Sequence, residues 1–188
     1  GEQICVPYLA NRDIYETHLD RDRCIISLPG GSRDIEQVAE WMQQSAFQAG
    51  ALESTLLVGI QFLMETDVNH HFLNNDVAFW DHMGWYVGEE SVTDSGHNPR
   101  DYGASSFTFL DSMVVDIYES NPHFEAIVIS GPSAGAKFVQ RYAACNRAET
   151  YLAENDGPPM VYVTVNNGSF IYMDDKRRCV DGDFAVPD

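Results

Sequence analysis

Gly131-Pro132-Ser133-Ala134-Gly135 is the segment of this chain best suited to do chemistry. It is a G-x-S-x-G pattern, and its setting says more than the pattern, which recurs by chance. Four apolar residues, Ala126-Ile127-Val128-Ile129, run into it, and a helical stretch to about Ala144 follows. A strand that turns sharply into a helix holds the serine between them in a strained conformation, with its hydroxyl projecting above the sheet. Small residues at 131 and 135 let the two elements approach without side-chain clashes. The amide of Ala134, at the helix N-terminus, then faces the place where charge would develop on an attacked carbonyl oxygen. Ser133 is therefore a candidate nucleophile for acyl transfer; a tight strand–helix turn without catalytic use is the plain alternative.

A second glycine segment belongs beside it. Leu28-Pro29-Gly30-Gly31-Ser32 closes the apolar run Arg23–Leu28, and a glycine loop there lets a backbone N–H come close to a substrate oxygen. Gly31 is the candidate donor, and an ordinary turn is the alternative. Trp80, Trp85 and Tyr86 are candidates either for lining a pocket above Ser133 or for packing the core.

The general base is missing from its expected place. Folds built around such an elbow carry nucleophile, acid and histidine in that chain order. After Ser133 the acids Asp156, Asp174, Asp175, Asp181, Asp183 and Asp188 follow, but no histidine does. His18, His70, His71, His82, His97 and His123 all precede it. Without a base, a serine hydroxyl is a poor nucleophile at neutral pH. Three arrangements account for this. The acid and base come from a missing segment or a second polypeptide chain, for which cleavage near Asp174-Asp175-Lys176-Arg177-Arg178 and a disulfide through Cys179 would suit. The shell is instead a catalytically inactive binding or structural subunit. Or His70, His71 or His82 is recruited from an upstream loop.

The elements that must position these residues alternate. Arg23–Leu28 reads as a buried strand. Ser32 or Asp34 caps a helix to about Ala49, with Ile35, Val38, Ala39, Met42, Ala46 and Phe47 at helical spacing. Thr55–Phe62 is the next strand. Residues from about 65 to 104 show little periodicity and read as a long loop insertion. Ser105 or Ser106 caps a helix that ends at Asn121-Pro122. Glu149–Pro159 reads as a polar connector, and Met160–Val165 as another strand. Strands alternating with helices predict a mostly parallel sheet in a single domain over 1–188.

Composition narrows the function. The 188 residues carry a net charge of -18, from 29 acidic and 11 basic residues, a field that repels phosphate backbones and anionic lipid. Neither nucleic acid nor a membrane is expected as a partner, and no apolar run approaches the ~20 residues of a membrane span. Cys5, Cys24, Cys145 and Cys179 form no CxxC pair, so zinc-site spacing is absent. No cofactor or metal is expected, because His70-His71 matches no helical ligand spacing. Four scattered cysteines in an acidic chain predict a secreted protein with two disulfides, against four buried thiols in a cytosolic enzyme. The sequon Asn167-Gly168-Ser169 makes Asn167 a glycosylation candidate, in keeping with secretion.

Several segments, in order, carry a family likeness: Ile25–Arg33, Leu57–Leu63, Phe79-Trp80 with Gly84-Trp85, and Ile127–Ala144. Together the chain resembles a family of poorly characterised microbial and fungal α/β-hydrolases, in which a tryptophan-rich loop precedes the elbow. An Asn-Pro-Ser-Ser-Tyr-like segment follows the next strand in that family, and Asn166-Asn167-Gly168-Ser169-Phe170 stands there, making Asn166 a pocket candidate. Pro29-Gly30 replaces a His-Gly in the oxyanion loop, and Pro132 replaces the residue, often histidine, before the nucleophile. Neither change removes a backbone donor. The resemblance implies an α/β-hydrolase-type sheet with helices on both faces, apparently lacking its C-terminal strands. It also implies serine-esterase chemistry on a small ester-like substrate.

Overall fold

The computed structural model describes residues 4–71, 76–93, 101–169, 171, 177–178 and 184–185. In chain order the elements are β1 (Tyr8–Ala10), β2 (Arg23–Ser27), α1 (Ile35–Gln48), β3 (Thr55–Ile60) and β4 (Leu63–Met64). Then come α2 (Glu65–His71), β5 (Phe79–Trp80), a 3-10 helix (Gly84–Val87), α3 (Ser106–Ser120), β6 (Ala126–Pro132) and α4 (Ala134–Cys145). The last are α5 (Ala148–Glu154), β7 (Met160–Val165), β8 (Arg177–Arg178) and β9 (Phe184–Ala185).

Five strands form the main sheet in the order β1-β3-β2-β6-β7. β2, β3, β6 and β7 run parallel, and only β1 pairs antiparallel, at the β3 edge. Parallel neighbours need crossovers, which the helices supply. α1 starts where the Asp34 side chain accepts from the Gln37 N–H, and α3 where Ser105 Oγ accepts from the Phe107 N–H. Of the two candidates the sequence offered for each cap, the structure selects Asp34 over Ser32 and Ser105 over Ser106.

The pleat sorts side chains by parity. The row Val58–Ile26–Ile129–Tyr162 and the row Leu56–Cys24–Ile127–Met160 point to one face. There they meet Leu110, Val114 and Ile117 of α3 and Phe138, Val139 and Tyr142 of α4 in one buried cluster. The other face carries the row Leu57–Ile25–Val128–Val161 and is covered by α1, which packs on β3 and β1. A Cβ on Gly59 would lie 2.7 Å from Ile35 Cδ1, so glycine is what lets α1 settle so close to β3.

Three expectations are corrected. The stretch 65–104 is not a plain loop: it contains α2, the 3-10 helix, and β5 paired in parallel with β4. These pieces are two to seven residues long, too short for a periodic signal. The connector 149–159 begins with a helix, α5. Its first turn is held by the distant Asp111, whose carboxylate accepts from the Arg147 and Ala148 N–H groups at 3.1 Å each, with Ala148 and Leu152 buried. Asn146 Oδ1 adds a local cap by accepting from the Glu149 N–H at 2.9 Å, but the contact from Asp111, 36 residues away, has no counterpart in the local sequence. The two-disulfide framework does not form. Cys24 sits wholly buried in the middle of the core face as a free thiol, and Cys145 is also free. Burial pushes the Cys24 thiol pKa well above its ordinary value. Cys179 lies outside the described residues.

Candidate active site

The turn between β6 and α4 has the geometry its sequence called for. Ser133 takes φ 53° and ψ -111°, a conformation that side-chain-bearing residues rarely adopt. Its N–H donates to the Val165 carbonyl at 2.9 Å, which ties the elbow to the end of β7. The side chain is exposed and does not cap α4.

Both flanking glycines are sterically required. A Cβ at Gly131 would sit 2.8 Å from the Gly135 carbonyl carbon, and one at Gly135 would sit 2.7 Å from the Pro29 carbonyl oxygen. The second contact brings the β2–α1 loop against the start of α4. Leu28 N–H donates to the Ser130 carbonyl at 2.9 Å, extending the β2–β6 ladder up to that loop.

The oxyanion side follows. A Cβ on Gly30 would be 3.7 Å from Ser133 Cβ, so the glycine loop lies directly beside the nucleophile candidate. The Arg33 N–H donates to the Gly30 carbonyl at 3.0 Å, closing a turn that leaves Gly31 and Ser32 exposed at its crown. Ala134 is the first helical residue of α4, where N–H groups have no partner one turn earlier. Gly30 and Ala134 thus flank Ser133, with Gly31 the next residue of the loop, and the positive end of α4 favours negative charge at that point.

One ion pair fixes the loop and was not foreseen. The Arg33 guanidinium pairs with Asp67, whose carboxylate also accepts from the Met64 N–H at 2.7 Å. Burial holds the Arg33 pKa below its ordinary value. Arg33 itself has φ 57°. Only the fold brings residues 34 positions apart together, so no local motif could have revealed the pair.

The aromatic candidates divide. Trp80 and Trp85 are fully buried and belong to the core rather than to a lining. Phe62 stacks on Trp85 at 5.7 Å and on Phe138 at 5.3 Å, and meets Trp80 edge-on at 5.1 Å. Trp80 Nε1 donates to the Glu89 carbonyl at 2.8 Å. Their work is to clamp the 3-10 helix onto α4, which carries Ala134. Tyr86 is half-buried, with Lys137 Nζ 5.3 Å and the Arg141 guanidinium 5.7 Å from its ring centre.

An open groove of about 1050 Å³ does reach Ser133, but on the α1 side of the sheet. Gly30, Gly31 and Asn166 line it near the serine, and Trp41, Val128 and Val163 line it farther down. Two hydroxyls on its floor, Ser27 and Ser130, hydrogen-bond to each other. Asn167 turns aside, with its Nδ2 donating to Gln140 Oε1 at 3.0 Å.

Of the three histidines whose side chains are described, two lie far from the serine and one stands on its side of the sheet. His18 Nε2 contacts the Asp13 carbonyl at 2.6 Å, and His123 Nε2 contacts the His18 and Arg21 carbonyls. Both lie near Asn121, before the start of β6. Seven residues of strand separate that end from Ser133, roughly 20 Å. His82 is on the serine's side of the sheet, since the neighbouring Met83 side chain lies 3.6 Å from a Cβ built on Gly31. Its ring is 92% exposed and 3.6 Å from Asp81. The side chains of His70 and His71, and all of His97, lie outside the described residues, as do Asp174, Asp175, Asp181, Asp183 and Asp188.

No family model matches this sequence, and no curated protein matches it. Solved structures do. The chain is similar to a poly(3-hydroxybutyrate) depolymerase from Bordetella parapertussis, with 15% identity and a TM-score of 0.47, over 74% of this chain and 42% of that one. It is similar to poly(aspartic acid) hydrolase-1 from Sphingomonas sp. KT-1, with 15% identity and a TM-score of 0.42, over 74% and 51%. It is also similar to a siderophore hydrolase from Aspergillus nidulans, with 13% identity and a TM-score of 0.36, over 71% and 46%. The aligned part spans about half the length of these structures. The sheet order, the elbow after β6 and the glycine loop after β2 make this an α/β-hydrolase-type fold.

Proposed function

We propose that this chain carries the nucleophile and the oxyanion donors of a serine hydrolase acting on small esters. The observation that carries the reading is the conformation of Ser133: strained at φ 53°, exposed, and wedged between two glycines that admit no side chain. Such strain persists only where the surroundings over-determine it, and it gathers at functional sites.

In this reading the Ser133 Oγ attacks the ester carbonyl carbon while its proton passes to an imidazole base. The Gly31 and Ala134 N–H groups stabilise the oxyanion. Collapse breaks the bond to the alcohol, which leaves with that proton, and water then releases the acid from the acyl-serine through the same base. The imidazole and its carboxylate come from a missing segment or a second polypeptide chain that completes the domain. The sequon at Asn167 and the acidity of the chain support a place outside the cell.

The positions of His18 and His123, held at the far end of the sheet, favour a second reading. Here the same shell is a catalytically inactive binding or structural subunit of a secreted assembly, with a relict elbow.

Intact-mass analysis of the native protein before and after a fluorophosphonate probe separates the two. The hydrolase reading expects one adduct on Ser133 and none in Ser133→Ala. Folded native protein that stays unmodified at Ser133 leaves only the inactive shell.

A further inference from the structure

The glycine loop after β2 is held from two directions. On the sheet side the holds are backbone: the Leu28 N–H donates to the Ser130 carbonyl at 2.9 Å, and a Cβ on Gly135 would meet the Pro29 and Leu28 carbonyls. On the outer side, two side chains of the insertion reach the loop. Asp67 of α2 pairs with Arg33, and the Met83 methyl would lie 3.6 Å from a Cβ on Gly31. The methionine contact is soft and adaptable. The ion pair is directional, and it grips the residue that closes the turn, since the Arg33 N–H donates to the Gly30 carbonyl at 3.0 Å.

α2 is a firm base for that grip. Val68, next to Asp67, is buried in a small cluster with Leu63 and Phe79, and the β4–β5 pairing ties this cluster to Trp80 of the main core. The Arg33 side chain is 16% exposed and that of Asp67 21%, so removing either leaves a largely dehydrated charge without its partner. The anchor has no spare. Arg33 Nη1 makes it, while Arg33 Nε is buried with no partner among the described residues. Arg33 also holds φ 57°, unfavourable to any residue with a side chain. A released Arg33 therefore turns to water and lets its backbone relax, and the turn that carries Gly31 opens with it.

We infer that Arg33 and Asp67 are positioning residues for the reaction at Ser133: through this pair, α2 sets where the Gly31 N–H stands beside the nucleophile. The effect on the reaction rests on the reading of Ser133 as a nucleophile; the hold on the loop does not.

The test compares Asp67→Asn and Arg33→Gly with the wild-type protein. Asparagine keeps an oxygen for the Met64 N–H and removes the charge. Glycine takes φ 57° readily, so Arg33→Gly keeps the turn without the anchor, and its urea midpoint should be unchanged or raised. Fluorophosphonate labelling of Ser133 over a range of probe concentrations is the first readout, because the phosphoryl oxygen uses the oxyanion donors. The maximal labelling rate should fall about ten- to a hundredfold, as a misplacement of about 1 Å does, with the half-saturating concentration within about threefold. The double variant Arg33→Gly/Asp67→Asn should be no slower than the slower single one, since both break one contact. Glu65→Gln, exposed in the first turn of α2, should label as wild type does. Wild-type labelling rates in both single variants would overturn the inference, as would losses that merely follow the urea midpoint. Backbone NMR on the same proteins keeps the two claims apart, since the Gly30, Gly31 and Ser32 amide signals should move in both variants. A wild-type protein unlabelled at Ser133, with signals that move in the variants, removes the hydrolase and retains the hold on the loop. Signals that stay in place overturn the hold, whatever happens at Ser133.

Discussion

The two faces of the central sheet are built from similar residues and have different fates. On the face toward α3 and α4, Cys24, Ile26, Ile127 and Ile129 are all 0% exposed. On the face toward α1, the side chains next to them in sequence, Ile25 and Val128, are half-buried, and the three valines of β7 stand open. Hydrophobicity therefore does not distinguish a finished core from an unfinished one; only the presence of a covering element does. The elbow lies where the faces meet, since Ala134 belongs to the closed face and Ser133 opens onto the other.

The largest expected effect breaks that junction. Gly135→Val drives atoms into the Pro29 and Leu28 carbonyls, backbone that cannot step aside. Urea unfolding should show a loss of about 4 kcal/mol or more, with no Ser133 labelling. Gly168→Val, with nothing within 4 Å, should be close to neutral. A wild-type midpoint for Gly135→Val would mean that the loop and helix do not touch.

Next in size is the comparison of faces itself. Ile129→Ala on the closed face should cost about 3 kcal/mol through lost burial and a residual cavity. Val163→Ala in the same chain without a partner should cost under about 0.5 kcal/mol. Equal losses would show that the β7 face is already covered.

Tyr142 probes how tightly the closed face is sealed. Burial, followed by the nearby Asp111 charge, pushes its pKa far above the ordinary tyrosine value. The folded state thus resists ionisation that the unfolded chain undergoes near pH 10. Stability from this residue is complete below that pH and is lost as pH rises beyond it, because only the unfolded state gains by releasing the proton. Tyr142→Phe should lose about 1 kcal/mol at neutral pH, with Asp111 still accepting from Arg147 and Ala148, and should flatten alkaline unfolding. An unchanged alkaline slope would contradict the seal.

The smallest effect needs only a thiol reagent. Cys145, exposed at the end of α4, should alkylate readily in native protein, while Cys24 should react only as the chain unfolds. Equal native rates would place solvent where the closed face has none.

How much of this was legible depends on where each constraint acts. The four parallel strands of the main sheet, a cap at Ser32 or Asp34 and another at Ser105 or Ser106, and the elbow at 131–135 are local. Apolar runs, capping side chains and glycines bordering a strained turn act within a few residues, so the sequence determined them alone. Residues 65–104 were read as a loop because elements of two to seven residues gain their stability from packing, not from periodicity. Trp80 and Trp85, candidates for a pocket, are core because Phe62, just after β3, and Phe138 of α4 arrive to enclose them. Only the tertiary structure could decide the Arg33–Asp67 pair, the Asp111 cap of α5 and the choice of groove face. Each depends on residues brought together by strand order, and a chain's local pattern carries no record of which strand becomes its neighbour.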